Sequence, residues 1–165
     1  VTRENTIDIF LKNAKSVGAG TVLAADLDEL KQSVSKIIED TEPVYCPGKT
    51  DKEAAVIPPE EKRAPDYFSA QATVEEVFGA IAETGSIVCS SQDGRELQAG
   101  LLPAHHVAIV ARENIFSTLD DFFSSLGPEI PTNITFITGP SRTADIELTL
   151  TVGVHGPERL DVIVC

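Results

Sequence analysis

Apolar positions recur along the chain with two different periods. Ile7, Phe10, Leu11 and Ala14 fall at i, i+3, i+4 and i+7, which lays one apolar stripe on a first helix that stops before Gly18. Residues 21–25 read as a short buried strand. A second stripe, Leu27, Leu30, Val34, Ile37 and Ile38, follows Asp26, Asp28 and Glu29, whose charge suits a helix N-terminus. Val44, Tyr45 and Cys46 supply the next extended piece, so residues 1–76 read as an N-terminal βαβ part. Residues 48–65 are charged and proline-bearing, which predicts a surface loop and the best place for an insertion or lid.

The second half, residues 77–165, alternates strands and helices more closely. Residues 73–78 suggest a short helical turn, and residues 86–90 a strand. Asp93-Gly94 is a turn signal between two extended pieces and predicts a hairpin-like connection over residues 92–98. Residues 107–110 form a continuous apolar run. Ile115, Leu119, Phe122, Phe123 and Leu126 mark a third helix, ended by Gly127-Pro128. Residues 134–137 and 160–164 are two more strands. Short apolar strands separated by amphipathic helices indicate a three-layer α/β fold with a parallel or mixed sheet covered on both faces.

Residues 146–152 set two rules against each other. Ile146, Leu148, Leu150 and Val152 alternate with Glu147, Thr149 and Thr151 at strand period, whereas Thr143 as N-cap, Asp145 and Glu147 in a first turn and Gly153 as a stop favour a helix. The balance leans to a short helix.

Size and charge narrow the function classes. A chain of 165 residues, 42% hydrophobic, fits one domain over residues 1–165. Its formal charge of −13 repels phosphate backbones, so nucleic acid is not an expected partner. Neither a membrane span nor a signal peptide is visible, and the chain reads as cytoplasmic. It opens on Val1 rather than Met, which suggests a trimmed chain or a missing native start. Cys46, Cys89 and Cys165 are odd in number and far apart, without C-x-x-C or a nearby Cys/His partner, which argues against a disulfide framework or a self-contained metal site, and they read as buried reduced thiols.

The chemistry concentrates in FITGPSRTADIE at residues 136–147 and VGVHGP at 152–157. A strand runs into Gly139-Pro140, and Ser141, Arg142, Thr143, Asp145 and Glu147 follow at once. Glycine permits close ligand approach, and free N–H groups beside hydroxyls and a guanidinium make an anion cradle. The expected position is the carboxyl edge of the sheet, where ligands of open α/β folds lie. The competing structural reading is a strand-to-helix turn in which Arg142 pairs with Asp145 or Glu147. Glu83, with Thr84 and Gly85 before an apolar strand, is a candidate base, nucleophile or ligand, and equally plain turn chemistry. His105 and His106 begin an apolar strand, so alternation sends them to opposite faces and only one can face a site. His155, between glycines, is a candidate acid or base. A metal held by His105 or His106, His155 and an acid has no diagnostic spacing, and no metal site is assigned.

These two runs, with IAETGS at residues 81–86 and LLPAHHVAIV at 101–110, resemble the LUD domain family of lactate utilisation proteins, in which a GPSRTADIE-like segment precedes GVHGP. The resemblance covers residues 77–165. It implies a fold similar to that of ribose phosphate isomerase, formyltetrahydrofolate cyclo-ligase and CoA transferase. It further implies a part in oxidising L-lactate to pyruvate beside iron–sulfur partner subunits. The chain has no cluster-type cysteine run and no dinucleotide fingerprint, so no cofactor is expected in it and the iron–sulfur clusters belong to the partners. A small anionic metabolite would bind among Thr84, Gly85, His105, His106, Gly139, Ser141, Arg142, Thr143, Asp145 and Glu147, with Glu83 and His155 as catalytic candidates. Two alternatives stand beside this: an independent transferase or isomerase acting on a phosphorylated or CoA-linked metabolite, with Glu83 and a histidine doing the chemistry, and a non-catalytic scaffold module.

Overall fold

The computed structural model describes residues 2–128, 130–144, 150–152 and 156–165. Two sheets organise them. Five parallel strands in the order β1-β11-β6-β3-β2 form the larger sheet: β1 (Gly20–Leu23), β2 (Val44–Tyr45), β3 (Ala72–Glu76), β6 (His105–Val110) and β11 (Arg159–Val164). A smaller mixed sheet runs β7-β4-β5-β8, from β4 (Gly79–Ile81), β5 (Ser86–Ser90), β7 (Ile115–Phe116) and β8 (Ile134–Ile137).

Helix α1 (Arg3–Ser16) starts at Thr2, whose hydroxyl accepts from Asn5 N, and buries Ile7, Phe10 and Ala14. These residues pack in one core with Ala108, Val110, Leu160 and Val162 of the parallel sheet and with Ile87 and Ile137 of the mixed sheet. The other face of the parallel sheet belongs to α2 (Leu27–Ile37), capped by the Asp26 carboxylate, which accepts from Asp28 N and Glu29 N. Leu30 and Val34 seal that face against Val74, Val107, Ile109 and Ile163. The α/β layering is therefore as the pattern predicts. In the βαβ part, β1 and β2 run parallel but lie at opposite edges, so α2 crosses the whole sheet instead of joining neighbours.

Several local expectations are corrected. Within the expected helical turn over residues 73–78, residues 73–76 are strand, because Thr73 and Val74 sit in the interior of the parallel sheet, buried on both faces, where alternation disappears. The 48–65 segment is no simple surface loop. It contains α3 (Asp51–Ala55) with a reciprocal capping box between Thr50 and Glu53, and Glu53 is fully buried. Residues 92–98 do make a turn, with Asp93 and Gly94 both at positive φ, but 3-10 segments there connect β5 to β6 in different sheets rather than two hairpin strands. The third helix is shorter than its stripe: Ile115 and Phe116 are strand, and α4 (Leu119–Ser125) begins at the capping box of Thr118 and Asp121. Finally, β9 (Arg142–Ala144) pairs antiparallel with β10 (Leu150–Val152). The strand period wins over the cap signals at residues 150–152, and residues 145–149 lie outside the described residues.

Candidate functional site

The IAETGS and GPSR segments meet because their strands are neighbours. The β5/β8 ladder places Ile87 opposite Ile137, and just beyond it Ser86 Oγ lies 2.6 Å from Thr138 Oγ1 and 2.7 Å from Thr84 Oγ1. Both turns rest on the C-terminal half of α1. Gly85, at φ 69°, leaves no room for a side chain against the backbone of Asn13 and Ala14, and Gly139, at φ 72°, none against the Val17 carbonyl. Asn13 reinforces the platform by donating from Nδ2 to the carbonyls of Ala82 (2.8 Å) and Glu83 (3.2 Å).

The GPSR loop also meets Gly156-Pro157. Ser141 N donates to the Pro157 carbonyl at 2.8 Å, and Gly156 packs beside the Ser141 side chain. Between them opens a cavity of about 530 Å³, lined among others by Val17, Leu101, Phe136, Pro140, Arg142 and Pro157. Arg142 is exposed, its guanidinium reaching back over Gly18 at the end of α1, and no carboxylate among the described residues pairs with it. Val17, Leu101 and Pro157 precede β1, β6 and β11, so the cavity lies at the amino edge of the parallel sheet. The expected carboxyl edge is thus corrected. The loop does follow the carboxyl end of a strand, but that strand, β8, belongs to the mixed sheet.

The remaining candidates fall in different places. Asp145, Glu147 and His155 lie outside the described residues, and Thr143 is described only as backbone in β9. Glu83 does not line the cavity. Its Oε1 accepts from Leu119 N at 2.7 Å, supporting the start of α4 beside the Thr118 cap. This is the turn-chemistry reading of that residue.

His105 and His106 do point to opposite faces of β6. Nε2 of His105 lies 2.7 Å from Asp161 Oδ2, the same oxygen that Arg159 Nε approaches at 2.8 Å. Gly20 on the next strand leaves the space that Asp161 occupies. Burial alone raises the Asp161 pKa, but the His105 hydrogen bond and the Arg159 charge outweigh it and hold the carboxyl below its ordinary range. His106 is buried on the opposite face. Its Nε2 lies 3.1 Å from Glu75 Oε1 without hydrogen-bond alignment, and Nδ1 has no partner among the described residues. Gly100 is packed so tightly over this pair that a Cβ there would sit 2.8 Å from His106 Cε1.

A second polar node had not been expected. Glu53 accepts from Arg95 Nη1 at 2.8 Å and from the backbone N–H groups of Glu76 and Lys49 at 2.7 Å each, while Lys52 pairs with Glu76 at 2.8 Å. Burial works against the Arg95 charge, yet the bond and charge of Glu53 prevail and its pKa is raised. Cys89 is buried and Cys46 and Cys165 only partly so, which corrects the expectation of three buried thiols; burial pushes Cys46 up to about 11. Among the described residues no group of three or more His, Cys, Asp or Glu is arranged to hold a metal ion, and no helix is long and apolar enough to cross a membrane.

The fold and this loop-built cavity define an α/β protein with a glycine-proline turn and an exposed arginine beside its central sheet. Residues 59–165 match the LUD domain, and the chain belongs to that family. It is 31% identical over 166 aligned positions to lactate utilization protein C of Bacillus licheniformis, covering 95% of this chain and 67% of that protein. The proteins of the same name from Halalkalibacterium halodurans and a Geobacillus species are each 38% identical, over 51% and 59% of this chain. The chain spans less than half the length of these two, 39% and 44%. A crystal structure of a DUF162 family protein from Deinococcus radiodurans superposes with a TM-score of 0.70 at 21% identity, over 99% of this chain and 98% of that one, which shows the shared fold.

Proposed function

We propose that this chain serves L-lactate utilisation as a small-anion-binding subunit, its Gly139–Arg142 loop receiving the carboxylate of lactate or pyruvate. One observation carries the reading: Arg142 stands exposed and unpaired, among the described residues, at a cavity of about 530 Å³. That volume falls in the range of about 300–1,000 Å³ common to small-molecule sites. A guanidinium matches a planar carboxylate through two parallel hydrogen bonds, and it works at short range even on a chain of net charge −13. The names of the relatives support the metabolic setting.

Oxidation of lactate removes a hydride equivalent, and the three widely spaced cysteines of this chain do not form a cluster-binding run. The redox step accordingly falls to iron–sulfur partner subunits, while this chain binds and orients substrate. Calorimetry of the purified chain with L-lactate, pyruvate, acetate and inorganic phosphate tests the substrate. Saturable heat with the first two is expected; heat with phosphate alone would assign the cradle to a different metabolite. Copurification of tagged chain with iron–sulfur proteins from a lactate-grown host tests the partnership.

A further inference from the structure

A second cavity, larger than the first, lies on the α2 side of the molecule. At about 650 Å³ it runs between α2 and residues 55–59, which begin at the last residue of α3. Its floor is apolar: Val34 of α2 and Ile38 at its C-cap, Val56, Ile57 and Pro58 from the facing segment. Its rim carries Lys31, Lys36 and Lys62, three of the seven lysines in a chain whose net charge is −13, against one lining carboxylate, Glu39. None of its lining residues is shared with the Arg142 cavity.

The walls are tied together. Lys62 Nζ donates to the Glu39 carbonyl at 3.0 Å, and Arg63 Nε donates to the Pro58 carbonyl at 2.6 Å, fixing the 55–59 segment against the end of α2. The rim charges are only weakly spent. Lys31 stands 3.7 Å from Asp28 with both side chains largely in solvent, Lys62 stands 4.0 Å from Glu42, and Lys36 has no ion pair among the described residues. Such exposed pairs hold their partners loosely. An apolar trough with a cationic rim complements a molecule that is apolar along its length and anionic at one end: the trough removes the chain from water while lysine ammonium groups keep the head solvated and paired.

We propose that this groove binds an amphipathic monoanion, an apolar chain bearing a carboxylate head of the fatty-acid type. The chain lies along Val34, Ile38, Val56 and Ile57, and the carboxylate meets Lys36 at the rim, with Lys31 and Lys62 adding to the local positive field. The site stands independently of the Arg142 cradle.

Amide-resolved NMR of the whole chain tests it, with decanoate and decan-1-ol as probes below their aggregation limits. Decanoate is expected to shift the amides of Ile38, Val56 and Ile57 saturably and to bind roughly tenfold more tightly than the alcohol, since only the anion gains from the rim. Lys36→Glu should weaken decanoate roughly tenfold while leaving decan-1-ol unchanged. Ile57→Asp, at a floor position that is 39% exposed and so tolerant in the folded chain, should abolish both. Shifts that do not saturate, equal affinity for acid and alcohol, or shifts centred on residues 139–142 would overturn the proposal. So would an acidic amphipathic peptide that occupies the groove and is not displaced by decanoate.

Discussion

Ser86 Oγ and Thr138 Oγ1 lie 2.6 Å apart, fastening the turn that carries Glu83 to the turn that carries Arg142. Residues 52 positions apart in sequence thus share one hydroxyl contact, extended by Thr84 at 2.7 Å. Because both turns rest on α1, this contact sets where the Gly139 loop begins. Ser86→Ala removes both contacts and is expected to cost about 1–3 kcal/mol in urea unfolding, the ordinary worth of two hydrogen bonds. The same variant should weaken anion binding at Arg142 by more than its loss of stability alone explains, read by calorimetry under conditions where it is fully folded.

Gly139 makes the sharper demand on the backbone. Its φ of 72° and its contact with the Val17 carbonyl leave no space for a side chain. Gly139→Ala combines an unfavourable conformation with a collision against main chain, and a loss of about 2 kcal/mol or more is expected. Thermal unfolding by circular dichroism checks it. Gly127, beside which a Cβ would meet nothing within 4 Å, is the control and should tolerate alanine.

The Asp161 pair makes stability depend on pH in a stated direction. Its carboxyl is held below the ordinary value of 3.8, so the folded chain binds fewer protons there than the unfolded chain does. The stabilisation is fully present above that ordinary value and is lost as pH falls through the lower, folded one. Wild-type stability should therefore fall with acid below pH 3.8, and Asp161→Asn should flatten that limb while lowering stability at pH 7 by about 1.5–3 kcal/mol, the worth of a charged hydrogen bond. Chemical unfolding from pH 2 to 7 reads both effects. An acid limb that stays equally steep in Asp161→Asn would place the pH dependence elsewhere.

Glu53 and Arg95 should behave as a unit. Glu53 is fully buried and Arg95 is the charge that compensates it. Arg95→Met alone strands a buried carboxylate and is expected to cost about 3–5 kcal/mol. The double variant Glu53→Gln with Arg95→Met should recover much of that loss. A double-mutant cycle in urea measures the coupling; additive effects would contradict the ion-pair account.

How far the sequence reaches into this structure depends on which physical rule speaks loudest. The stripes of α1 and α2 are plain because each helix buries one face only, and the strands around residues 107–110, 134–137 and 160–164 are plain because they are apolar runs between turns. Residues 72–76 are hidden because a strand buried on both faces that still carries Thr73, Glu75 and Glu76 has no alternation to show. At the site, GPSR and GVHGP stand out by composition, and the structure joins Ser141 to Pro157. The position of the Ser141–Pro157 junction at the amino edge is not legible, since it depends on β8 belonging to a second sheet. Two signals were available and carry information: Asp161 is a lone charge inside an apolar strand, and Thr50-x-x-Glu53 is a capping-box spacing within the supposed loop.

In the proposed function Arg142 is an anion receptor rather than a structural side chain. Calorimetric titration of pyruvate into wild type and into Arg142→Ala, with thermal unfolding of both, tests this most directly. The predicted result is an affinity roughly tenfold or more weaker in the variant, as expected for losing a charge-assisted contact, with an unfolding midpoint almost unchanged because the guanidinium is exposed. Equal affinity in the two proteins, or a variant that loses stability instead of binding, would contradict it.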